Sequence, residues 1–286
     1  MRRLLSALVF FLASGWCFGQ EGLTFVQMSD PQFGMYTENR DFAQETANFE
    51  FAIATANRLR PAFVVICGDL VNQGGNAAQI AEFQRIAHKL QSGIALYTVA
   101  GNHDVGNEPT PESLAAYRSH FGKDYYTFTY PGFEGIVLDS SLIQHPDRAP
   151  EDAARQEQWL KEQLAAARQA KVPRVVVFQH IPFFVHDAEE PDSYFNIPKS
   201  VRAKYLELLS AAGVEYVFAG HLHYAASGES GPLHMISAGP VGKPLGTGAS
   251  GLRIVRIGAA GLEQQWFDFG HLPTTIESAF SGAAGK

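Results

Sequence analysis

The sequence predicts an α/β fold. Short apolar runs of β type alternate with segments whose apolar residues recur at helical spacing, and polar loops follow the apolar runs. The chain has 286 residues, 46% of them hydrophobic, so it can bury a substantial core without a second domain. Because the sequence shows no repeat and no linker, we predict a single domain over residues 20–280 and a flexible C-terminal tail at residues 281–286.

The first third of the domain contains three predicted strands, at residues 23–28, 63–67 and 94–99. Apolar residues at helical spacing separate them, first at residues 49–59 and then at residues 80–90. Each strand runs into a polar segment, and the third runs into the loop Gly101-Asn102-His103-Asp104. This loop is suggestive because open α/β sheets bind ligands at the carboxyl ends of their strands.

The remainder of the chain continues the alternation. We predict helices at residues 109–120, 151–170 and 199–212, and strands at residues 125–130, 135–138, 174–178, 214–219, 233–237, 252–257 and 262–267. The irregular segment at residues 186–196 is rich in acidic and aromatic residues, which is typical of a loop that forms a wall or lid of a cleft.

The N-terminus has the layout of a secretory signal peptide at residues 1–19. Arg2 and Arg3 precede the apolar residues 4–13, and small residues lead to a predicted cleavage site at Gly19-Gln20. The apolar run is too short to span a bilayer, and no later segment offers about 20 uninterrupted apolar residues. We therefore expect an exported protein, periplasmic or secreted, with no stable membrane insertion after cleavage.

The net charge of the chain limits the classes of partner that we expect, and its cysteine content limits the disulfide bonds. Cleavage would take the net charge from -7 to -9, since Arg2 and Arg3 are lost, and this acidic balance argues against a nucleic-acid duplex as partner. Phosphorylated substrates remain compatible if bound metal ions supply positive charge. Cleavage would also remove Cys17 and leave Cys67 alone, so we predict no internal disulfide and a buried, inert thiol.

Five of the predicted strands end at residues with metal-ligand chemistry. These residues are Asp30, Asp69, Asn102, His180, and His221 with His223. Each has an ordinary alternative, since the aspartates are also helix caps, His180 is also compatible with a core position, and residues 221–223 are also compatible with a turn. Their recurrence at strand ends favours convergence at one edge, because parallel strands bring their carboxyl ends together.

The predicted donor set consists of two carboxylates, one amide oxygen and three imidazoles, which are enough for two divalent ions with one carboxylate shared. Mixed nitrogen and oxygen donors suit Mn, Fe, Zn or a comparable ion. Two such ions about 3.5–4 Å apart clamp the attacking and leaving oxygens of an in-line displacement and activate a water, which predicts phosphoester hydrolysis by a metal-bound hydroxide. His103 directly follows Asn102 and is predicted to face the substrate, where it stabilises the phosphoryl group or protonates the leaving oxygen.

Five ordered motifs resemble those of the calcineurin-like metallophosphoesterase family. They are Asp30-x-Gln32, Gly68-Asp69, Gly101-Asn102-His103-Asp104, Gln179-His180 and Gly220-His221-Leu222-His223. The resemblance implies a four-layer α-β-β-α sandwich of two packed mixed sheets. It also implies that Asp69 bridges two metals, that Asp30, Gln32 and His223 complete one site, that Asn102, His180 and His221 complete the other, and that His103 is the catalytic histidine.

The chain departs from the family pattern at two places. Gln32 stands where the family usually has a histidine, and an amide oxygen is a weaker and harder donor than an imidazole. Asn72 and Gln73 replace the acid and the arginine of the phosphoprotein phosphatase branch. The motifs Asp30-Pro31-Gln32-Phe33-Gly34, Tyr194-Phe195-Asn196 and Gly251-Leu252-Arg253 instead resemble the branch of calcineurin-like phosphoesterase domain-containing protein 1, described as serine/threonine-protein phosphatases.

We predict a phosphomonoesterase that acts on a small-molecule or protein substrate, including phosphoserine or phosphothreonine. The predicted substrate contacts are Asn72, Asn102, His103, Phe184, Tyr194 and Asn196, with Phe33, Phe195, Lys243 and Arg253 as weaker candidates. Core packing is the favoured role for at least half of the four aromatic residues. Two alternatives stay open: a phosphodiesterase with the same metals, and a non-catalytic protein that binds a phosphorylated ligand.

Overall fold

The computed structural model describes residues 22–259 and 261–281, so the predicted signal peptide and residues 282–286 of the predicted tail lie outside the described residues. The strands are β1 (Leu23–Met28), β2 (Phe63–Ile66), β3 (Ala95–Thr98), β4 (Tyr126–Tyr130), β5 (Phe133–Val137), β6 (Arg174–Phe178), β7 (Tyr216–Ala219), β8 (Ala226–Ser230), β9 (Leu233–Ser237), β10 (Gly251–Gly258) and β11 (Gly261–Asp268). The helices are α1 (Ala43–Leu59), α2 (Ala77–Ala87), α3 (Asn102–Val105), α4 (Pro111–Phe121), α5 (Ser140–Gln144), α6 (Pro150–Gln169), α7 (Lys199–Ala211) and α8 (Ile276–Phe280).

The strands form two mixed sheets. The first has the order β11-β10-β1-β2-β3, in which β1, β2 and β3 are parallel, and the second has the order β4-β5-β6-β7-β9-β8, in which β5, β6, β7 and β9 are parallel. Antiparallel strands occupy the remaining positions at the sheet edges. The parallel strands β1 to β3 point their carboxyl ends the same way, as do β5, β6, β7 and β9.

Alternating side chains divide the core into three apolar layers. On β1, Phe25 faces the layer between the two sheets, whereas Val26 and Met28 face the layer that includes residues of α1, α2 and α4. On the other side of the molecule, residues of α6 and α7 pack with residues of β5, β6 and β7. The layer between the sheets is rich in aromatic rings, such as Phe25 stacked on Phe63 with ring centroids 4.7 Å apart. The predicted four-layer α-β-β-α architecture is confirmed.

The predicted elements agree with the observed ones to within a few residues, and four short elements were not predicted. The tetrad that was predicted as a loop begins helix α3, whose length of four residues is too short for a periodic signal. The sequence of β8 lacks β-branched and aromatic residues, and this strand pairs with β9 in an antiparallel hairpin. Helices α5 and α8 are five residues long and were missed for the same reason as α3.

Within residues 22–259 and 261–281, no helix is both long enough and apolar enough to cross a membrane.

Candidate metal centre

The candidate ligands lie just beyond the carboxyl ends of five strands that belong to both sheets. Asp30, Asp69 and Asn102 follow β1, β2 and β3 of the first sheet, whereas His180 follows β6 and the pair His221 and His223 follows β7 of the second. All of these side chains except Asn102 are donors of two buried clusters that have metal-ligand spacing. The packing of one sheet on the other therefore brings residues from distant parts of the chain together.

Two trios of side chains share one aspartate. The first trio is Asp69, His180 and His221, and the second is Asp30, Asp69 and His223; in each, the potential ligand atoms lie within 4.8 Å of one another. Asp69 Oδ2 lies 3.2 Å from His180 Nε2, and Asp30 Oδ1 lies 3.4 Å from His223 Nε2. This arrangement has the donors for two cations with Asp69 between them.

Asn102 contributes an amide oxygen to the first trio. Its Oδ1 lies 3.0 Å from His180 Nε2, while its Nδ2 donates to Asn107 Oδ1 at 2.8 Å and to the hydroxyl of Tyr194 at 3.2 Å. Because the two donors of the amide are engaged on its far side, its oxygen is directed at the cluster.

Gln32 and Asp30 each carry a buried oxygen without a hydrogen-bond partner among the described residues. Gln32 Nε2 donates to Asn72 Oδ1 at 3.1 Å, which leaves Gln32 Oε1 as the orphan; the orphan of Asp30 is Oδ1. A buried acceptor that lacks a partner costs free energy, and a bound cation would satisfy both oxygens. The residues present therefore fit a metal centre.

Backbone carbonyls fix the orientation of the three histidines. His180 Nδ1 contacts Cys67 O at 2.8 Å, His221 Nε2 contacts Tyr194 O at 3.0 Å, and His223 Nδ1 contacts Lys243 O at 2.5 Å. Since a carbonyl only accepts, each of these nitrogens donates, and the other ring nitrogen of each histidine is the one that faces the cluster and could bind a metal ion. Such carbonyl partners are the usual supports of metal-binding histidines.

The backbone at the candidate ligands is strained. Five of them adopt positive φ angles: Asp30 at 50°, Gln32 at 38°, Asp69 at 50°, His221 at 70° and His223 at 58°. Residues with a Cβ rarely adopt this left-handed region, and when they do the positions cluster at functional sites. Gly101 allows the β2 and β3 ends to approach closely, since a Cβ there would lie 2.1 Å from the backbone nitrogen of Asp69.

Electrostatic coupling without metal is strong at this cluster. Burial opposes charge on Asp69, but nearby His180 outweighs it and holds the pKa of Asp69 well below its usual range. Burial likewise opposes protonation of His180, but the charge of Asp69 raises the pKa of His180 to about 10. Burial and the neighbouring His180 lower the pKa of His221 to about 3. Without metal, the charge of Asp69 is thus balanced by a protonated His180, and a bound cation would take the place of that proton.

His103 lies beside the cluster at the first turn of α3. Its backbone N–H donates to Asp69 Oδ1 at 2.9 Å, and its ring Nδ1 lies 3.1 Å from the backbone oxygen of Asn72. The Asn72 side chain instead bonds Gln32 and Asn39. Because Nδ1 of the half-buried His103 ring is engaged, Nε2 is the nitrogen available for a proton at the substrate.

Two supporting residues were not assigned a role from the sequence. The buried Asp104 accepts backbone N–H groups of Gly101 at 2.8 Å and of Leu70 and Val71 at 3.1 Å, so it joins the loops after β2 and β3. Burial, together with the charge of Asp69, raises its pKa to about 8. Ser29 Oγ bonds the Asp30 carboxylate and Cys67 O. Their positions next to ligand motifs were the available signals.

One of the predicted substrate contacts lies exposed at the cluster, whereas two others are buried. Tyr194 lies at the cluster, with its ring centroid 4.9 Å from that of His221 and 54% of the residue exposed. Phe184 is fully buried in the apolar layer beneath α6 and α7, so it has no surface to offer a ligand, and this prediction is corrected. Asn196 is also buried, and its amide donates to Glu190 Oε1 and Pro191 O, so it braces its own loop instead of facing the cleft.

Among the weaker candidates for substrate contact, Phe33 and Arg253 are buried, and Lys243 contributes a backbone atom to the site. Phe33 is fully buried and packs against the rings of Phe42 and Phe49, so the prediction that core packing takes at least half of the four aromatic residues is confirmed. Arg253 is buried and donates to Ser237 O at 3.0 Å, which removes it from the phosphate contacts. Lys243 contacts the site through its backbone, because its carbonyl oxygen accepts a hydrogen bond from His223 Nδ1.

The sequence profile described as calcineurin-like phosphoesterase matches residues 23–225. The chain belongs to the calcineurin-like phosphoesterase family. This phosphoesterase is 36% identical to bovine (Bos taurus) serine/threonine-protein phosphatase CPPED1 over 263 residues, which cover 87% of this chain and 84% of the relative. It is 34% identical to the human (Homo sapiens) CPPED1 over 264 residues, with the same coverage. The family and these relatives identify it as a metal-dependent phosphoric ester hydrolase.

Solved structures share the fold of this phosphoesterase. Purple acid phosphatase PPD1 from yellow lupin (Lupinus luteus) has a TM-score of 0.65 and 15% identity over 88% of this chain and 54% of that one. A structure described as a dimetal phosphatase from Danio rerio has a TM-score of 0.58 and 18% identity over 87% of this chain and all of that one. At these identities the likeness shows the fold alone.

Proposed function

We propose that this phosphoesterase is a dinuclear phosphomonoesterase that acts on phosphorylated serine or threonine. The observation that carries the proposal is the position of Asp69, whose carboxylate belongs to both ligand trios. The relatives described as serine/threonine-protein phosphatases support the substrate class, since they are 34–36% identical over most of the chain.

Seven side chains would hold the two cations. Asp30, Gln32 and His223 would hold one ion, Asn102, His180 and His221 would hold the other, and Asp69 would be a ligand of both. Mixed oxygen and nitrogen donors suit Mn, Fe, Zn or similar ions, and the amide of Gln32 favours a harder ion at its site than an imidazole would. When bound, the ions neutralise phosphate charge and lower the pKa of a water molecule.

Residues of the chain orient the metal-binding histidines and the proton donor. Tyr194 O, Cys67 O and Lys243 O hold the histidines in the required tautomers, which limits reorganisation during turnover. His103, anchored through its Nδ1 to Asn72 O, directs Nε2 toward the leaving oxygen and donates a proton as the ester bond breaks. A proton donor at that position is needed because a serine or threonine alkoxide is a poor leaving group.

Metal analysis combined with an activity screen tests the proposal. Protein purified without chelator should contain two ions per chain and hydrolyse an aryl phosphomonoester in at least one of Mn, Fe, Zn or Mg. The monoester should be turned over faster than its matched diester. One ion per chain without turnover contradicts the proposal and supports a binding protein, whereas faster turnover of the diester supports the phosphodiesterase alternative.

A further inference from the structure

In the part of the chain that the structure describes, most of the exposed large hydrophobic residues adjoin candidate metal ligands. Among the described residues, five large hydrophobic residues are exposed, and Phe51 on α1 is the one remote from the ligands in sequence and contacts. The other four adjoin ligand histidines and form what we call the apolar collar: Tyr194, 54% exposed; Phe195, 36%; Tyr224, 39%; and Leu245, 40%.

Two members of the collar lie at His221. The ring centroids of Tyr194 and Phe195 are 4.9 Å and 5.9 Å from that of His221, and the two aromatic rings meet edge to face at 5.4 Å. The backbone of Tyr194 is held because its carbonyl accepts from His221 Nε2, and its hydroxyl accepts from Asn102 Nδ2. This half of the collar is therefore fixed to ligands of the first trio.

The other two members are attached at His223, a ligand of the second trio. Tyr224 follows His223 directly in the chain. The backbone N–H of Leu245 donates to His223 O at 3.3 Å, in the segment that also supplies Lys243 O to the His223 ring. Exposed apolar residues therefore adjoin a ligand histidine of each trio, and Asp69 belongs to both trios.

Isolated exposed apolar residues are common on protein surfaces, but a group of them around one site marks a surface that binds something. The phosphoryl group cannot be that occupant, because it is charged. The side chain of a single serine or threonine is too small to contact all four residues of the collar. An extended peptide carries further side chains on both sides of the phosphorylated residue and so offers enough apolar groups to contact them.

We propose that the apolar collar binds apolar side chains on both sides of the phosphorylated serine or threonine of a protein substrate, and so selects sites with apolar neighbours. This inference rests on the proposed function. It gives Tyr194 and Phe195 one flank of the peptide and Tyr224 and Leu245 the other, while the cluster holds the phosphate between them.

Two phosphopeptides of equal length and charge test the inference, one with leucine on both sides of phosphoserine and one with serine at those positions. For the wild-type protein, kcat/KM should be about tenfold higher for the leucine peptide, since each partly buried leucine contributes a fraction of its transfer free energy. The variants Phe195→Ser, Tyr224→Ser and Leu245→Ser should each reduce this ratio. Phe51→Ser removes an exposed ring of similar exposure on α1 and should leave the ratio unchanged.

p-Nitrophenyl phosphate separates failure of the inference from failure of the proposed function. If wild-type protein hydrolyses this ester and the two peptides equally well, the collar selects nothing and the inference is overturned while the proposed function stands. If the collar variants lose p-nitrophenyl phosphate turnover as strongly as leucine-peptide turnover, the collar holds a small leaving group or supports the ligands, and the inference is again overturned. If none of these monoesters is hydrolysed, the proposed function itself fails.

Discussion

Asp69 Oδ2 lies 3.2 Å from His180 Nε2, although Asp69 follows strand β2 of one sheet and His180 follows strand β6 of the other. The contact therefore depends on the packing of the two sheets, and not on either sheet alone. Gly68, at φ of +82°, permits it, because a Cβ at that residue would lie 2.4 Å from His180 Nδ1. The candidate metal centre is built across this junction.

The variant Asp69→Asn should lose metal and activity together. Loss of even a hydrogen-bond partner of a metal ligand costs about 10–100-fold, so loss of the carboxylate shared by both trios should lower kcat/KM by more than about a hundredfold. Metal analysis and hydrolysis of an aryl phosphate are the measurements. The same replacement at Asp268, at the end of β11, should change neither quantity, and wild-type rates for Asp69→Asn contradict the assigned site.

The variant His103→Gln should bind metal normally and turn over slowly. Loss of a positioned general acid typically costs about 10²–10⁴-fold, and the cost should be largest for esters with a poor leaving group. We expect a large fall in kcat for an alkyl phosphate, a smaller fall for an aryl phosphate, and an unchanged metal content. His120→Gln on the exposed end of α4 is the matched control; an equal fall for both esters argues against proton donation.

The variant Gln32→His should bind softer ions more tightly. Gln32 has a φ of 38°, a region that histidine tolerates better than most residues, and an imidazole is a better donor for Zn than an amide oxygen. Competition with a chromogenic chelator should show a higher Zn affinity at one of the two sites. Gln73→His adds an imidazole at an exposed neighbouring position, and an equal gain in that control shows that Gln32 is not a ligand.

The variant Asp139→Asn should stabilise the protein at neutral and higher pH. Burial, followed by the charge of Asp124, raises the pKa of Asp139 to about 7, so the folded state binds its proton more tightly than the unfolded chain does. Stability is therefore lost as the pH rises from about 4 through 7, and an uncharged side chain avoids this loss. Asparagine retains the acceptor that caps α5 through the N–H groups of Ser141 and Leu142.

Urea unfolding at two pH values measures this effect. Relative to wild type, Asp139→Asn should gain more unfolding free energy at about pH 8 than at about pH 5, by on the order of 2 kcal/mol, since each pKa unit corresponds to about 1.4 kcal/mol. Asp41→Asn alters an exposed carboxylate that caps Ala43 and is the control for loss of a carboxylate. A gain for Asp139→Asn that is the same at both pH values contradicts the explanation.

We propose that the protein is exported, with residues 1–19 removed. Expression of the full chain in a bacterium should give a mature protein that begins at Gln20, which mass spectrometry of the exported fraction measures. Leu8→Arg interrupts the apolar run and should leave the uncleaved chain in the cytoplasm. An intact N-terminus in the wild-type protein would contradict the proposal.

The sequence alone determined which residues stand at the strand ends. It also indicated that these residues suit a metal-dependent reaction. Local apolar patterns fix strands, and the strand ends fix the positions of Asp30, Asp69, Asn102, His180 and His221 in the chain. Motif order and residue type also carried the family resemblance. These signals are local, so a single sequence suffices to read them.

Only the tertiary structure decided which side chains meet. The structure buries Phe184 and leaves Tyr194 exposed beside His221, although the sequence predicted both as substrate contacts. The hydrogen bonds that orient the histidines come from backbone carbonyls, which every residue has and no motif records. Distances between atoms tens of residues apart depend on how the sheets pack, and this sum of many weak contacts has no local signature in the sequence.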